Sequence, residues 1–424
     1  LAGCGGLGTG RGDGRISYTY NVIDIYEEEG ASFSSRGPGN GKGPKVDDFE
    51  YRIAQTARIL PVTVDGSTVQ ANDIVVDGTT AVVAYNTAGP VFAGAVQVLD
   101  ITNPYRPVIT AELGFPGVDI VTLELEGDTV YFGGAIDPDA TYTNERAFVA
   151  TLDLTALDSD TVVEDAVTGA AASWGATTYY FTTGVVLRGS DIYASLGADP
   201  GAVFKLDASL TPTALVESGD PELDVFDIRD IEEYHGGIIA VAGTSVEPGT
   251  TGPTNGRILV FKGDSIHENS TKNIADFGSA AAKATIEVYD NHYAFLGLSE
   301  AGFQVVFLRD RGDDEGIVES IFELPNPEVG WSDRTATNSA SYSGDLVFTA
   351  NGEAGFRVFR VESMLRRDNP PGDGWLSKIG FVPFDETLQA SGDYWSANHI
   401  EYQDNTLFVA AGLGGVTIYR LEPQ

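Results

Sequence analysis

One cysteine, one methionine and four histidines are all that 424 residues hold of the side chains that bind soft metals, carry thiol chemistry or shuttle protons. A lone thiol makes no intramolecular disulfide, and with no histidine near it offers neither a zinc site nor a Cys/His nucleophile pair. Basic residues are scarce too: 25 Lys plus Arg, only 7 of them lysine, face 62 Asp plus Glu, for a net charge of −37. Such a surface repels polyanions and argues against a nucleic-acid partner. No apolar run approaches the roughly 20 residues of a membrane-spanning helix. Hardly any segment keeps a helical period, and no P-loop, HExxH or nucleophile-elbow motif occurs.

What is present is enough for a folded body. Hydrophobic residues make up 42% and aromatic residues 10%, so the acidity reads as a solvated skin around a core rather than as disorder. An acidic, lysine-poor skin suits a salt-rich exterior, where charge is screened over short distances, and points to a halophilic or marine source.

Cys4 lies in "LAGCGGLGTGRGDG", among glycines that supply no apolar surface to pack against. Leu1-Ala2-Gly3-Cys4 resembles the bacterial lipobox, in which the cysteine is acylated after signal-peptide cleavage. The resemblance implies that the chain begins inside a signal peptide. It also implies a lipoprotein anchored in the bilayer through acylated Cys4, and Gly5 after the cysteine goes with export to the outer membrane or cell surface. The alternative is a chance LAGC. Residues 1–4 are thus the expected signal remnant, and 5–51 a Gly-rich tether in which "ISYTYNVIDIYEEE" is a strand or docking segment. The folded domain is expected over 52–424. Arg11-Gly12-Asp13 reads as tether, and Asn269-Ser270-Thr271 as a formal glycosylation acceptor.

Past residue 52 one pattern recurs seven times: an apolar strand, a tight turn and a second apolar strand. The turns fall at Gly78, Gly127, Gly189, Gly236, Asn291, Gly344 and Asn405. Each hairpin is followed by a third strand ("GAVQVLDI", "RAFVATLDL", "GAVFKLDA" and so on). A fourth follows in six of them, among these "PVITAELGF" and "DTVVEDAV". Four antiparallel strands per repeat predict an all-β, seven-bladed β-propeller. The last repeat ends after three strands, and its outer strand is expected from "ARILPVTVD" at 57–65, which would close the ring on "GVTIYRLE". A long β-sandwich or β-solenoid is the competing architecture.

"VQVLDITNPYRPVITAELGF" (96–115) resembles the LVIVD repeat of bacterial and archaeal surface propellers: a strand ending in Asp100, an Asn103-Pro104 turn, Pro107 and a returning strand. Leu152-Asp153 and Leu206-Asp207 keep the Leu-Asp step, whereas "VFKGD", "VFLRD" and "FRVES" depart from it. Asp100 and the prolines are expected to be structural, fixing the turn.

Candidate chemistry gathers where the innermost strands would enter the central channel: Asn72, Asp73, Asp119, Thr183, Arg229, Asp230, Lys283, Thr285, Asn338, Asn398 and His399. This mixed polar ring is either a solvated lining or a small-ligand site. His235, His267 and His292 read as turn or loop residues, and Trp331, Trp375 and Trp395 as packing. Asp137, Asp139, Asn144 and Glu145 supply hard oxygens of the kind calcium takes, without EF-hand spacing; an acidic solvated loop is the alternative, and otherwise no cofactor is expected. The leading expectation is a non-catalytic interaction or structural module with a protein partner or a second copy of itself. The alternative is a propeller enzyme, a hydrolase or lyase on an extracellular polymer, using Asp73, Asp119, Asp230 and His399.

Overall fold

Alternating apolar residues on either side of a glycine or asparagine turn make hairpins, and the backbone shows why those turn residues are needed. Gly78, Gly127, Gly189, Gly344 and Asn405 all have positive φ, where glycine and asparagine meet the least steric cost. The computed structural model describes residues 14–23, 25, 49–87, 89, 91–139, 146–157, 161–163, 171–173, 181–197, 201–216, 226–235, 237–244, 256–262, 265–274, 283–289, 292–309, 316–329, 334–361, 376–384 and 395–424. Cys4, Trp331, Trp375, Asn144 and Glu145 lie outside them, so the lipid and most of the calcium expectation fall outside the described residues. Among the described residues helix is confined to the 3-10 turn Leu154–Ala156, and no helix is long and apolar enough to cross a membrane.

Five four-stranded antiparallel sheets stand alone; four of them run in chain order, such as Phe181–Arg188, Asp191–Gly197, Ala202–Leu206 and Pro212–Val216. Two further groups of four share a ten-stranded sheet. One is Gln70–Asp77, Thr80–Asn86, Ala93–Asp100 and Val108–Pro116. The other is Trp395–Gln403, Thr406–Gly412, Val416–Pro423 and the N-terminal strand Tyr51–Ile59. Apolar clusters join each group to the next around a closed circle. The one between last and first combines Ala410, Val416 and Ile418 with Ile59, Ile74, Val83 and Leu99. The fold is thus the all-β propeller expected from the repeats.

Closure by the N-terminal strand is also observed, with a shifted segment. Tyr51–Ile59, rather than 57–65, pairs antiparallel with Val416–Pro423, from Tyr51 opposite Pro423 to Ile59 opposite Val416. Thr56 bulges out of this ladder and its Oγ1 donates to the carbonyl of Pro104, 3.0 Å away. The "ISYTYNVI" segment does not hang free: Ile16–Ile23 adds a fifth strand outside Tyr51–Ile59. It is fastened by Arg15, which pairs with Glu112. Glu112 in turn accepts from buried Gln97, to which Tyr85 Oη donates. Ile25 and Phe49 are buried in the cluster of Phe356 and Trp395, so apolar burial holds this part of the chain to the body.

In the second group "DTVVEDAV" is not the fourth strand. Thr161–Val163 instead runs parallel to Val108–Pro116, and the short Ala171–Ser173 pairs with Ala147–Asp153 in its place. Asp100 is structural, as its turn chemistry predicts, and Asp153 and Asp207 do the same: each accepts the amide two residues ahead, at 2.9 Å in every case.

Candidate functional site

Bulges in the inner strands build the channel. Residues Asn72, Val121, Thr183 and Arg229 each have no opposite number in the ladder to the second strand, so each inner strand twists at the same depth and re-aims its side chains. The channel encloses a cavity of about 630 Å³. Its wall contains Asn72, Asp73, Arg229, Asp230, Lys283, Asn338, Asn398 and His399, which the sequence had placed together.

Asp119 is the exception. It precedes the bulge at Val121, and its Oδ1 accepts from Thr87 N (3.1 Å), Thr87 Oγ1 (3.1 Å) and Ala93 N (3.2 Å), so it ties down a loop outside the channel wall. Burial outweighs these bonds and raises its pKa to about 6.

Most of the ring residues stitch one inner strand to the next. Asn72 Nδ2 donates to Val121 O, Thr183 Oγ1 to Ile228 O, Thr285 Oγ1 to Asn338 O, Asn338 Nδ2 to Ala397 O and Asn398 Nδ2 to Ala71 O, all within 2.9–3.0 Å. One step further in, Asp73 accepts from Leu123 N (2.9 Å), Asp230 from Ile286 N (3.1 Å) and Ser339 Oγ from Ile400 N (2.9 Å). These bonds satisfy backbone groups on the inner edge of the innermost strands, whose ladders run to the sheet neighbour on the other side.

Lys283 makes the longest reach. Its Nζ donates to the carbonyls of Asn72 (3.1 Å) and Asn398 (2.9 Å), crossing to the seam where the chain ends meet. Burial lowers its pKa, and the nearby carboxylates of Asp73 and Asp230 work the other way. Asp73 behaves oppositely to most buried acids. Burial disfavours its charge, but His399, whose Nδ1 lies 3.0 Å from Oδ1, together with Lys283 and the Leu123 amide, holds its pKa below the ordinary value. Arg229 is paired with Asp227 at 2.6 Å and its pKa is lowered by burial. Lys283→Met is expected to destabilise the protein by roughly 1–3 kcal/mol, because two buried carbonyls lose a charged donor. Urea unfolding monitored by tryptophan fluorescence measures it, and an unchanged midpoint would mean that water replaces the ammonium.

A second polar level was not anticipated. Glu232, Glu287 and Glu401, each two residues past a ring residue (Asp230, Thr285 and His399), and Glu124 on the strand Val118–Glu126 also line the cavity. Burial raises Glu124 to about 7, helped by Asp73 and Glu287; burial alone raises Glu287 to about 7. Glu232 and Glu401 are pushed well above the usual range by burial and by their acidic neighbours, and burial chiefly brings Asp230 to about 8. The signal was in the sequence: each of these glutamates stands three or four residues before its hairpin turn, at Gly127, Gly236, Asn291 and Asn405. Among the described residues no group of three or more His, Cys, Asp or Glu is arranged to hold a metal ion.

The rim carries a different surface. Tyr18, Tyr20, Val22, Tyr105 and Val108 are exposed large apolar residues, Tyr20 at 56%. Tyr20 and Tyr105 both donate to Glu422, at 2.6 and 3.1 Å, and Tyr18 donates to Pro107 O.

No protein-family model matches the chain, and no curated protein does. Solved structures do, and they are propellers. The WD40 repeats of RRP9 superpose with a TM-score of 0.53 at 11% identity, over 86% of this chain and 100% of that one. U3-55K gives 0.52 at 10% identity, over 84% and 97%. At such identities the likeness is one of fold, and function has to be argued from the sites.

Proposed function

We propose that this protein is a non-catalytic, seven-bladed propeller module of the cell envelope, tethered to an outer membrane or cell surface through acylated Cys4, that engages a protein partner through its rim. The observation that carries the reading is the uncharged edge strand Ile16–Ile23, which pairs on one side only among the described residues and exposes Tyr18, Tyr20 and Val22 beside Tyr105 and Val108. Edge strands normally carry charge or proline against unwanted pairing; "ISYTYNVI" has neither, and tyrosines dominate interface cores. The stitched channel ring supports the same reading, since Asn72, Asn338 and Asn398 are committed to holding strands together. The LVIVD-like turn at Asp100 and the acidic skin fit a surface protein in a salt-rich setting.

The test is extraction from native membranes in mild detergent, with the N-terminal peptide weighed and co-purifying proteins quantified. An acyl mass on Cys4 and a stoichiometric partner lost in Tyr18→Ser/Tyr20→Ser/Tyr105→Ser are the expected results. An unmodified Cys4 refutes the tether, and a partner retained by the triple variant refutes the rim.

A hydrolase or lyase at the channel mouth is the second reading, favoured by raised acids such as Asp230 in a desolvated cavity. Against it, both Asp230 oxygens already accept backbone amides, from Ile231 and Ile286, and Asp119 stands outside the wall.

A further inference from the structure

Ile16–Ile23 ends the ten-stranded sheet: Tyr51–Ile59 lies on one side of it, and among the described residues no strand lies on the other. The open side presents backbone N–H and C=O groups that a further strand can take up. The pairing to Tyr51–Ile59 shifts between Tyr18 and Asn21, but alternation along Ile16–Ile23 itself runs unbroken. Ile16 packs into the cluster of Ile59 and Ile418, and Ile23 into that of Phe356 and Trp395 on the opposite face. Tyr18, Tyr20 and Val22 stand exposed on the Ile16 face.

About Thr19 the sequence mirrors itself. Ile16-Ser17-Tyr18-Thr19-Tyr20-Asn21-Val22 runs apolar, polar, tyrosine, threonine, tyrosine, polar, apolar. An isologous two-fold contact needs this symmetry, since one patch must fit itself. When two antiparallel copies of the strand meet with Thr19 opposite Thr19, each Tyr18 stands opposite the other copy's Tyr20, and each Ile16 opposite the other's Val22, on one face. Ser17 meets Asn21 on the other face. Every pair joins like chemistry, and aromatic and threonine pairs are among those that stabilise a sheet. This register also keeps the two faces in phase, which a slip of one residue would not.

We propose that this protein forms a symmetric dimer by antiparallel pairing of Ile16–Val22 with the same segment of a second copy, Thr19 lying on the two-fold axis. The pairing rests on the rim reading above and makes the chain itself the partner. Charge favours a copy over a foreign strand: the segment is neutral on a chain of net charge −37, so it gives a charged peptide nothing to read, while two copies meet there without opposing carboxylates. The rings are already held in place. Tyr18 Oη donates to Pro107 O and Tyr20 Oη to Glu422, so little side-chain freedom is left to lose.

The acidic skin elsewhere opposes association, and salt screens it beyond about 10 Å at about 0.1 M and beyond about 3 Å at about 1 M. The dimer therefore tightens with salt, the reverse of a contact made by opposite charges. Sedimentation equilibrium of the full chain measures this, under reducing conditions so that Cys4 links no copies. The dissociation constant is expected to fall roughly tenfold or more over that range of salt.

Thr19 is exposed, so its substitution tests the axis without disturbing the core. Thr19→Lys and Thr19→Glu each set like charges face to face and are each expected to weaken the dimer roughly tenfold, with the melting temperature of the dilute chain unchanged. An equimolar mixture of the two is expected to form the mixed pair well beyond its statistical half in native mass spectrometry, although that pair carries the same total charge as two native copies. Such rescue is peculiar to a residue that faces itself. A native chain that stays monomeric at every salt concentration overturns the dimer, and leaves the rim reading standing if Tyr18→Ser/Tyr20→Ser/Tyr105→Ser still loses a different protein. A dimer that both charge variants leave intact, or whose mixed pair is no commoner than chance, lies on another surface and overturns the strand pairing.

Discussion

Replacing Gly415 by valine is expected to destabilise this protein by about 3 kcal/mol or more, a shift of several degrees in melting temperature. Gly415 has a φ of +79°, and a Cβ there would stand 2.0 Å from the carbonyl oxygen of Ile59. That oxygen belongs to the closing strand, and no movement of a flexible side chain relieves a clash with backbone. The valine therefore pushes Tyr51–Ile59 off Val416–Pro423, exposing two strand edges and the apolar cluster of Ile59, Val416 and Ile418. Gly78→Ala isolates the effect. Its φ of +57° costs an alanine about 1 kcal/mol, but nothing lies within 4 Å of the new Cβ. Thermal unfolding of the two variants side by side measures the difference. If they lose the same stability, the seam is not a weak point of the ring.

The fold was legible because turns and apolar alternation are local. A tight hairpin turn demands a residue that tolerates positive φ, and Gly78, Gly127, Gly189, Gly344 and Asn405 mark five of the hairpins in this way; Gly236 and Asn291 lie outside the described residues. Closure was legible as well, because an array ending one strand short needs a donor. What failed was register. Short strands such as Thr161–Val163 and Ala171–Ser173 carry too few residues to show which neighbour they join. Alternation alone puts Asp119 at the channel, because the bulge at Val121 cannot be read from the sequence and one extra residue changes which side chains face inward. Lys283 was named from its position alone; that it crosses the channel to the carbonyls of Asn72 and Asn398 depends on the ring being closed. The glutamate level went unseen for another reason. In a chain with 62 acidic residues no single glutamate stands out, and only alignment of the inner strands on their turns brings Glu124, Glu232, Glu287 and Glu401 to one depth.

Stability is expected to fall as the pH rises from about 4 to 8, the reverse of what paired surface carboxylates produce. Glu124 and Glu287 keep their protons in the folded chain up to about pH 7, and Asp230 up to about 8, while the unfolded chain loses them near the ordinary values of 4.5 and 3.8. Below those lower values both states are protonated and the groups cost nothing. Above them the unfolded state alone is ionised, so each group removes up to about 1.4 kcal/mol per pH unit until its folded pKa is passed. Channel water screens part of this, since the four glutamates are only half-buried by surface. Asp73 runs the other way: its lowered pKa stabilises the fold above the ordinary carboxylate range and is lost only in stronger acid. Glu232→Gln is therefore expected to raise the melting temperature at pH 8 and to leave it unchanged at pH 4, because a neutral amide takes the place of a carboxyl whose charge is disfavoured by burial and by Glu287, Asp230 and Glu124. A melting temperature in Glu232→Gln that tracks the native chain at both pH values would show that these carboxyls ionise freely into channel solvent.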